Sequence, residues 1–246
     1  MQTPSITIII LRITIVIAVA EILIMALLGG ISHDLSAPLE ALADASILVA
    51  LSTPFIYLWV IKPYVTARDE AVARVTYLAF HDPLTQLANR RLISEYLLKT
   101  IARLGRQQSH GALLLIDLNA FKPINDNYGH ATGDAILIEI AIRLQATVRG
   151  EDIAGRLGGD EFVVLLGRLD SDRQLAKDMA MQVARRIQAV LAEPVQLKET
   201  FQLGASIGIR MLDQNDAGKE DIIISQADKA MYQAKKSASG VAVIFE

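Results

Sequence analysis

Two stretches near the N-terminus, residues 5–28 and 42–61, are apolar almost without a break, and the pattern changes after Lys62-Pro63. Each is about 20 residues or longer, enough to cross roughly 30 Å of hydrocarbon as a helix. The first run lacks a basic leading segment and is too long for the core of a cleaved signal peptide, so a span is predicted. Pro54 would kink the second helix without forbidding a span. Arg12 and Glu21 interrupt the first run nine residues apart, too far for a pair within one helix. Arg12, near the helix start, is expected to snorkel to the interface; Glu21 marks either a polar contact between helices or a tilt toward an interface. Residues 29–41 contain Asp34 and Glu40 but no Lys or Arg, whereas Lys62, Arg68 and Arg74 follow the second run. The basic flank predicts a cytoplasmic domain, both termini inside, and an outer loop too short to fold alone.

After residue 61 the periodicity is that of a soluble protein. Residues 62–80 are polar with Val65, Val72 and Ala79 seven apart, plus Val75 and Leu78, which suits a helix continuing from the span. That helix could pair with its copy in a coiled coil or pack on its own domain. Helix is predicted over 84–104, opened by Asp82 as N-cap before Pro83, and over 133–148, 172–191 and 221–236. Strands are predicted over 112–118, where ALLLIDL is an unbroken apolar run, and over 153–157 and 162–166 around the turn Gly158-Gly159-Asp160-Glu161. Residues 201–211 and 241–245 also read as strands. This order predicts one α/β or α+β domain, a sheet covered by helices. The chain therefore divides into a two-helix membrane anchor (1–61), a helical linker (62–80) and a domain (81–246).

Composition sharpens this division. Of 24 basic and 27 acidic residues, only Arg12, Glu21, Asp34, Glu40 and Asp44 fall in the first 61 of 246 positions, and the mean hydropathy of +0.35 reflects that segment. A net charge of -3 and a pI near 5.8 exclude a generally basic nucleic-acid binder. The absence of cysteine excludes disulfide scaffolds, thiolate zinc sites and cysteine nucleophiles.

Candidate chemistry collects at strand ends. Asp117 closes a buried apolar strand, and Asp160 and Glu161 sit in a glycine turn between two others. Carboxylates so placed can converge on a hard cation such as Mg2+, although a glycine turn of this kind can equally be only a hairpin. Gly158 and Gly159 permit positive φ and leave no side chain to obstruct a phosphate. A second cluster runs Phe121-Lys122-Pro123-Ile124-Asn125-Asp126, then Gly129-His130 and Gly133-Asp134. Lys122 offers a point charge for phosphate. Asn125 and Asp134 match a guanine edge, the carboxylate accepting from N1 and N2 and the amide donating to O6 or N7. Asn125-Asp126 could also be a turn, and Asp134 a partner of a helix dipole.

The segments DPLTQLANRR (82–91), DLNAFKPINDNYGHATGD (117–134), RLGGDEF (156–162), SIGI (206–209) and ADKAMYQAK (227–235) together resemble the GGDEF family of diguanylate cyclases, over residues 78–246. Five blocks in order are far more specific than any one. The resemblance implies a nucleotidyl-cyclase or polymerase-palm-like fold with a central, mainly antiparallel sheet flanked by helices, here preceded by two transmembrane helices. It implies condensation of two GTP into cyclic di-GMP and two pyrophosphates, with Mg2+ or Mn2+, between two domains of a homodimer. By motif position Asp117, the Leu118 carbonyl and Asp160 would hold the metal, and Asp160 and Glu161 would form the catalytic acidic site. Asn125 and Asp134 would read guanine, Lys122 and Lys235 would bind phosphates, and Phe121, Gly158 and Gly159 would shape the pocket. Arg149-Gly150-Glu151-Asp152 falls at the family's inhibitory product site, although an RxxD elsewhere is more often a surface ion pair.

The same resemblance implies a multi-pass protein of the bacterial inner membrane with its catalytic domain in the cytoplasm. Lipid is then a partner, a membrane partner protein is open, and nucleic acid is not expected. Three departures stand out. Asn119 replaces the second Asp of the usual DLD. Gln86 and Ala88 replace Gly and Pro of the usual GLPNR, implying a local change of turn. Ser239 stands where an Arg would assist phosphate binding, implying a weaker hold on triphosphate. The rival reading is a catalytically weak receptor for GTP or cyclic di-GMP. A third, a dinucleotide made from ATP, is disfavoured by Asp134.

Overall fold

The computed structural model describes residues 6–28, 37–237 and 242–245, in two compact units, Met1–Tyr77 and Leu78–Glu246. The first contains α1 (Ile6–Leu28), α2 (Ala37–Ile56), a single π turn (Tyr57–Ile61) and most of α3 (Lys62–Phe80). Among the described residues two helices are long and apolar enough to cross a membrane, Ile6–Ala26 and the continuous Pro38–Phe80. The π turn lies just before Pro63, which has no N–H to offer the carbonyl four residues back, that of Trp59. Arg12 uses that carbonyl: its Nη1 donates to Trp59 O at 3.2 Å, with the guanidinium 5.3 Å from the indole centroid. Its charge is thus met by a neighbouring helix whose own ladder is interrupted. The connecting residues 29–36, including Asp34, lie outside the described residues.

The second unit is built on a five-stranded sheet in the order β2-β3-β1-β6-β7. Its strands are β1 (Gly111–Asn119), β2 (Ile153–Gly158), β3 (Glu161–Leu166), β6 (Gly204–Leu212) and β7 (Val243–Ile244). All pairings are antiparallel except β6 with β7, so the sheet is mixed. Four principal helices cover it: α4 (Arg90–Gln107), α6 (His130–Thr147), α7 (Arg173–Leu191) and α8 (Glu220–Lys236), with short α5 (Phe121–Tyr128) after β1. Alternation along β1 explains its unbroken apolar run, because both faces are buried. Leu114, Ile116 and Leu118 share a core with Ile136, Ile140 and Leu144 of α6 and Ala180 and Ile187 of α7. Leu113 and Leu115 share the opposite core with Ile93, Leu97 and Leu104 of α4 and Ile223, Ala227 and Met231 of α8. Asp117 continues this second alternation, so it belongs to the α4/α8 face.

Three local features differ from the periodicity. The helix expected from residue 84 begins at Arg90, capped by Asn89, whose side chain accepts from Leu92 N at 3.1 Å. Asp82 is not that cap. It accepts from Thr85 N (2.8 Å) and Thr85 Oγ1 (2.7 Å) inside a loop, and Gln86 takes φ +62°, a left-handed conformation incompatible with helix. Residues 121–128 form a helix, although their Asn, Asp and Pro content reads as a turn. Finally, the strand expected over 201–211 is split, and β5 (Thr200–Phe201) forms a separate hairpin with β4 (Val195–Gln196). Residues 238–241, which include Ser239, lie outside the described residues.

Gly208 explains how close α8 comes to β6. A Cβ at this position would stand 2.2 Å from Ala227 O and 2.2 Å from Met231 N, both backbone atoms of α8. Gly208→Ala is therefore expected to destabilise the domain by about 3 kcal/mol or more, since the helix itself must move. Gly150→Ala, with open space around its Cβ, should change stability by less than about 0.5 kcal/mol. Denaturant midpoints measured side by side decide the matter; equal midpoints would mean that α8 rides more loosely on the sheet.

Candidate active site

The antiparallel register of β1 and β3 sets Asp117 opposite Glu161, side by side on the α4/α8 face. The intervening turn holds Gly158 at φ +146° and Gly159 at φ +55°, conformations costly for any side-chain-bearing residue. Arg156 fixes the turn. Its Nε and Nη2 donate to Gly159 O at 3.0 and 2.8 Å, while Nη1 reaches Asp82 Oδ1 at 3.0 Å. Burial opposes the charge on Asp82, but the hydrogen bonds from Thr85 and Arg156 outweigh it and hold its carboxyl below the ordinary range. The turn is also tied to β1, because Leu118 N donates to Asp160 O at 3.3 Å. Asp160 is thereby delivered beside the Asp117 strand end.

Lys235, in the last turn of α8, donates from Nζ to Asp117 Oδ1 at 2.7 Å. That bond first, then the charges of Asp117, Asp160 and Glu161, pushes the lysine's pKa above its usual value despite partial burial. Glu161 moves the other way in charge preference. Burial, then the neighbouring Asp228, with Asp117 and Asp160 behind, raises its carboxyl above the ordinary range, and Arg90 offsets part of that. The donor set suits a hard cation: carboxylate oxygens at a strand end where a cationic group is already accepted. Among the described residues no three Asp, Glu or His side chains form a closed cage. Mg2+ characteristically takes one or two carboxylates and completes its shell with substrate phosphates and water, so the residues fit such an ion.

The second cluster is assembled by α5 and α6. Phe121 is buried at the start of α5, and Lys122 beside it is exposed. Asn125 rests its side chain against α6 at Gly133, where a Cβ would stand 2.6 Å from Asn125 Oδ1 and 3.2 Å from Phe121 Cζ. Asp134 follows directly and is exposed. The amide and the carboxylate are thus carried on adjoining surfaces of two helices joined at Gly129.

Arg149 and Asp152 lie apart from these groups, at a cleft also lined by Arg168 and Arg186. Asp152 accepts from Gly167 N at 3.1 Å and from Arg149 N at 3.3 Å, so its carboxylate orders its own loop. Burial nevertheless pushes its pKa above the ordinary range. Arg149 is exposed, and the cleft offers three guanidinium groups to an anionic ligand.

A family model described as "Diguanylate cyclase, GGDEF domain" matches residues 79–240, more than half of the chain. The chain belongs to this family. The chain is 38% identical over 183 residues to the bifunctional diguanylate cyclase/cyclic di-GMP phosphodiesterase MucR of Pseudomonas aeruginosa, covering 74% of this chain and 26% of MucR. It is 32% identical over 225 residues to the probable diguanylate cyclase DgcC of Escherichia coli, covering 90% and 58%. The crystal structure of the GGDEF domain of TpbB from Pseudomonas aeruginosa superposes with a TM-score of 0.60 at 35% identity, covering 66% of this chain and 98% of that one. The chain thus spans only about a quarter of the length of MucR.

Within this GGDEF domain, three residues bearing on the site escaped sequence reasoning. Arg90 and Asp228 act electrostatically on Glu161, and Ser206, opposite Asp117 in the register of β1 and β6, donates its hydroxyl to Asn119 Oδ1 at 2.9 Å. Asp228 was findable: it lies seven residues before Lys235, two helical turns, and so shares its face of α8. Asn119 replaces a carboxylate with an amide oxygen that still accepts from Ser206. Gln86, in the place of the family's glycine, takes the left-handed conformation itself, held by Gln86 N to Asp82 O at 2.9 Å.

Proposed function

We propose that this GGDEF domain is an active diguanylate cyclase, anchored in the bacterial inner membrane by α1 and α2 and facing the cytoplasm. The observation that carries the reading is the meeting of Asp117, Glu161 and Lys235 at one strand end, with Asp160 delivered by the glycine turn. Asn125 and Asp134 orient guanine, Lys122 and Lys235 engage the phosphates, and Phe121 supports the pocket floor. Asp117, Asp160 and the Leu118 carbonyl would hold Mg2+ or Mn2+. When bound, that ion lowers the pKa of the 3'-hydroxyl and neutralises phosphate charge.

Each domain presents one GTP, so two domains of a homodimer meet in a two-fold arrangement. The 3'-oxygen of one GTP attacks the α-phosphorus of the other in line; the hydroxyl proton is lost and pyrophosphate leaves. The same exchange in the opposite sense closes the ring. Cyclic di-GMP then feeds back through the cleft of Arg149 and Asp152, where guanidinium groups clamp its phosphates. The division into anchor (1–61), linker (62–80) and catalytic domain (81–246) belongs to the same reading. Ser239, in place of an arginine, favours a second one, a receptor that binds GTP or cyclic di-GMP without turnover.

Incubation of the detergent-solubilised protein with GTP and Mg2+, with cyclic di-GMP assayed by chromatography, separates the two. The cyclase forms product that plateaus early. Arg149→Ala should raise the product concentration needed for half-inhibition roughly tenfold or more, through loss of a charge-assisted contact. A sample that binds GTP and dimerises, yet yields no product as wild type or as Arg149→Ala, is the receptor.

A further inference from the structure

The ammonium of Lys235 lies 2.7 Å from an oxygen of Asp117, a carboxylate that would also ligate the metal. Its side chain is half exposed, whereas that of Asp117 is 10% exposed, so the lysine can leave the pair for solvent or ligand far more easily than the aspartate can. Two cations drawn to one carboxylate repel each other, and nothing but Asp117 binds this ammonium among the hydrogen bonds of the described residues. A triphosphate changes the balance by bringing enough negative charge for both. We propose that Lys235 occupies the cation position of Asp117 until nucleotide draws its ammonium onto the phosphates, so that metal and nucleotide bind cooperatively. This rests on the acidic-site reading above. It makes one residue a guard of the metal position in the free protein and a phosphate ligand in the complex. By linkage, the factor by which nucleotide tightens metal equals the factor by which metal tightens nucleotide.

The placement on α8 supports such an exchange. Lys235 is in the last turn of the helix, followed by Ser237 in extended conformation, so its long side chain swings from a helix end. The helix itself is held at Gly208, by Ala227 and Met231, one to two turns earlier. The ammonium can thus move without the helix moving.

The test titrates Mn2+ into the full, detergent-solubilised chain without nucleotide, reading free Mn2+ by electron paramagnetic resonance. Lys235→Met is expected to bind Mn2+ about fivefold more tightly than wild type, in line with losing a competing, half-exposed ion pair. Lys235→Arg, which keeps the charge, should bind close to wild type, and Asp117→Asn should bind least. With a GTP analogue carrying a methylene between the α- and β-phosphorus, which cannot release pyrophosphate, the advantage of Lys235→Met should vanish or reverse. Circular dichroism establishes that each variant is folded. If Lys235→Met binds Mn2+ no more tightly than wild type while Asp117→Asn binds it worse, the guarding role is overturned and the acidic site stands. If Asp117→Asn binds as wild type does, with and without the analogue, the acidic site itself is wrong and the guarding role falls with it.

Discussion

Asp160→Asn is expected to reduce cyclic di-GMP formation by roughly 10³-fold, equivalent to about 4 kcal/mol of transition-state stabilisation. The substitution keeps the volume and the backbone of the turn. Leu118 N can still donate to the carbonyl of residue 160, and Arg156 still grips Gly159 O. Gly158 and Gly159 retain their positive φ. What is lost is one unit of negative charge at the place where the proposed site would hold a divalent ion. A partly exposed side chain contributes little to folding, so stability should change by less than about 0.5 kcal/mol and the denaturation midpoint should stay close to wild type. Loss of product with an unchanged midpoint places the effect in chemistry. A variant that kept activity within tenfold of wild type would remove Asp160 from the site and leave Asp117 to be explained as the structural ion-pair partner of Lys235. Chromatography of the products and a thermal melt on the same preparation are sufficient.

The placement of Asp117 beside the Asp160-Glu161 turn was legible in the sequence because strand alternation and a glycine turn are local signals. ALLLIDL announces a strand buried on both faces, and Gly158-Gly159 a hairpin that returns beside it. What the sequence could not reveal by itself was which helix would close the site. Lys235 is 118 residues from Asp117 and meets it only because Gly208 lets α8 settle on β6. Side-chain contacts across such distances depend on packing, which periodicity does not encode. Asp82 illustrates the opposite failure. Its sequence context is that of an N-cap, and it does accept a backbone N–H three residues on, but the tertiary partner Arg156 and the left-handed Gln86 keep the segment a loop. Arg12 similarly finds Trp59 through an interrupted helical ladder, a defect that Pro63 hints at without naming the beneficiary. The hairpin of β4 and β5 was missed because strands of two residues carry no measurable alternation.

Asp134→Asn is expected to lower kcat/KM for GTP by roughly 10²- to 10³-fold while leaving the fold intact. The proposed carboxylate accepts from both N1–H and the N2 amino group of guanine. An amide in its place can present only one acceptor, and its NH2 can oppose the N1–H. Two charge-assisted hydrogen bonds are therefore weakened or lost, and a donor on the base is left without its carboxylate partner. The competing account of Asp134 is electrostatic: a carboxylate near the N-terminus of α6 stabilises the helix dipole. Geometry limits that account. α6 starts at His130, so residue 134 is already past the first turn, where the dipole effect has largely decayed. Its removal should cost only tenths of a kcal/mol. The two accounts therefore differ in which measurement moves. A guanine-reading Asp134 loses GTP turnover at constant stability. A dipole partner loses a little stability at constant GTP turnover. Asn125 provides the internal check, because it sits against Gly133 on the neighbouring helix and would read the same base from the other edge. Asn125→Ala should therefore also lower kcat/KM for GTP, and in the double variant the two losses should fail to add, as expected of groups that hold one rigid ring between them.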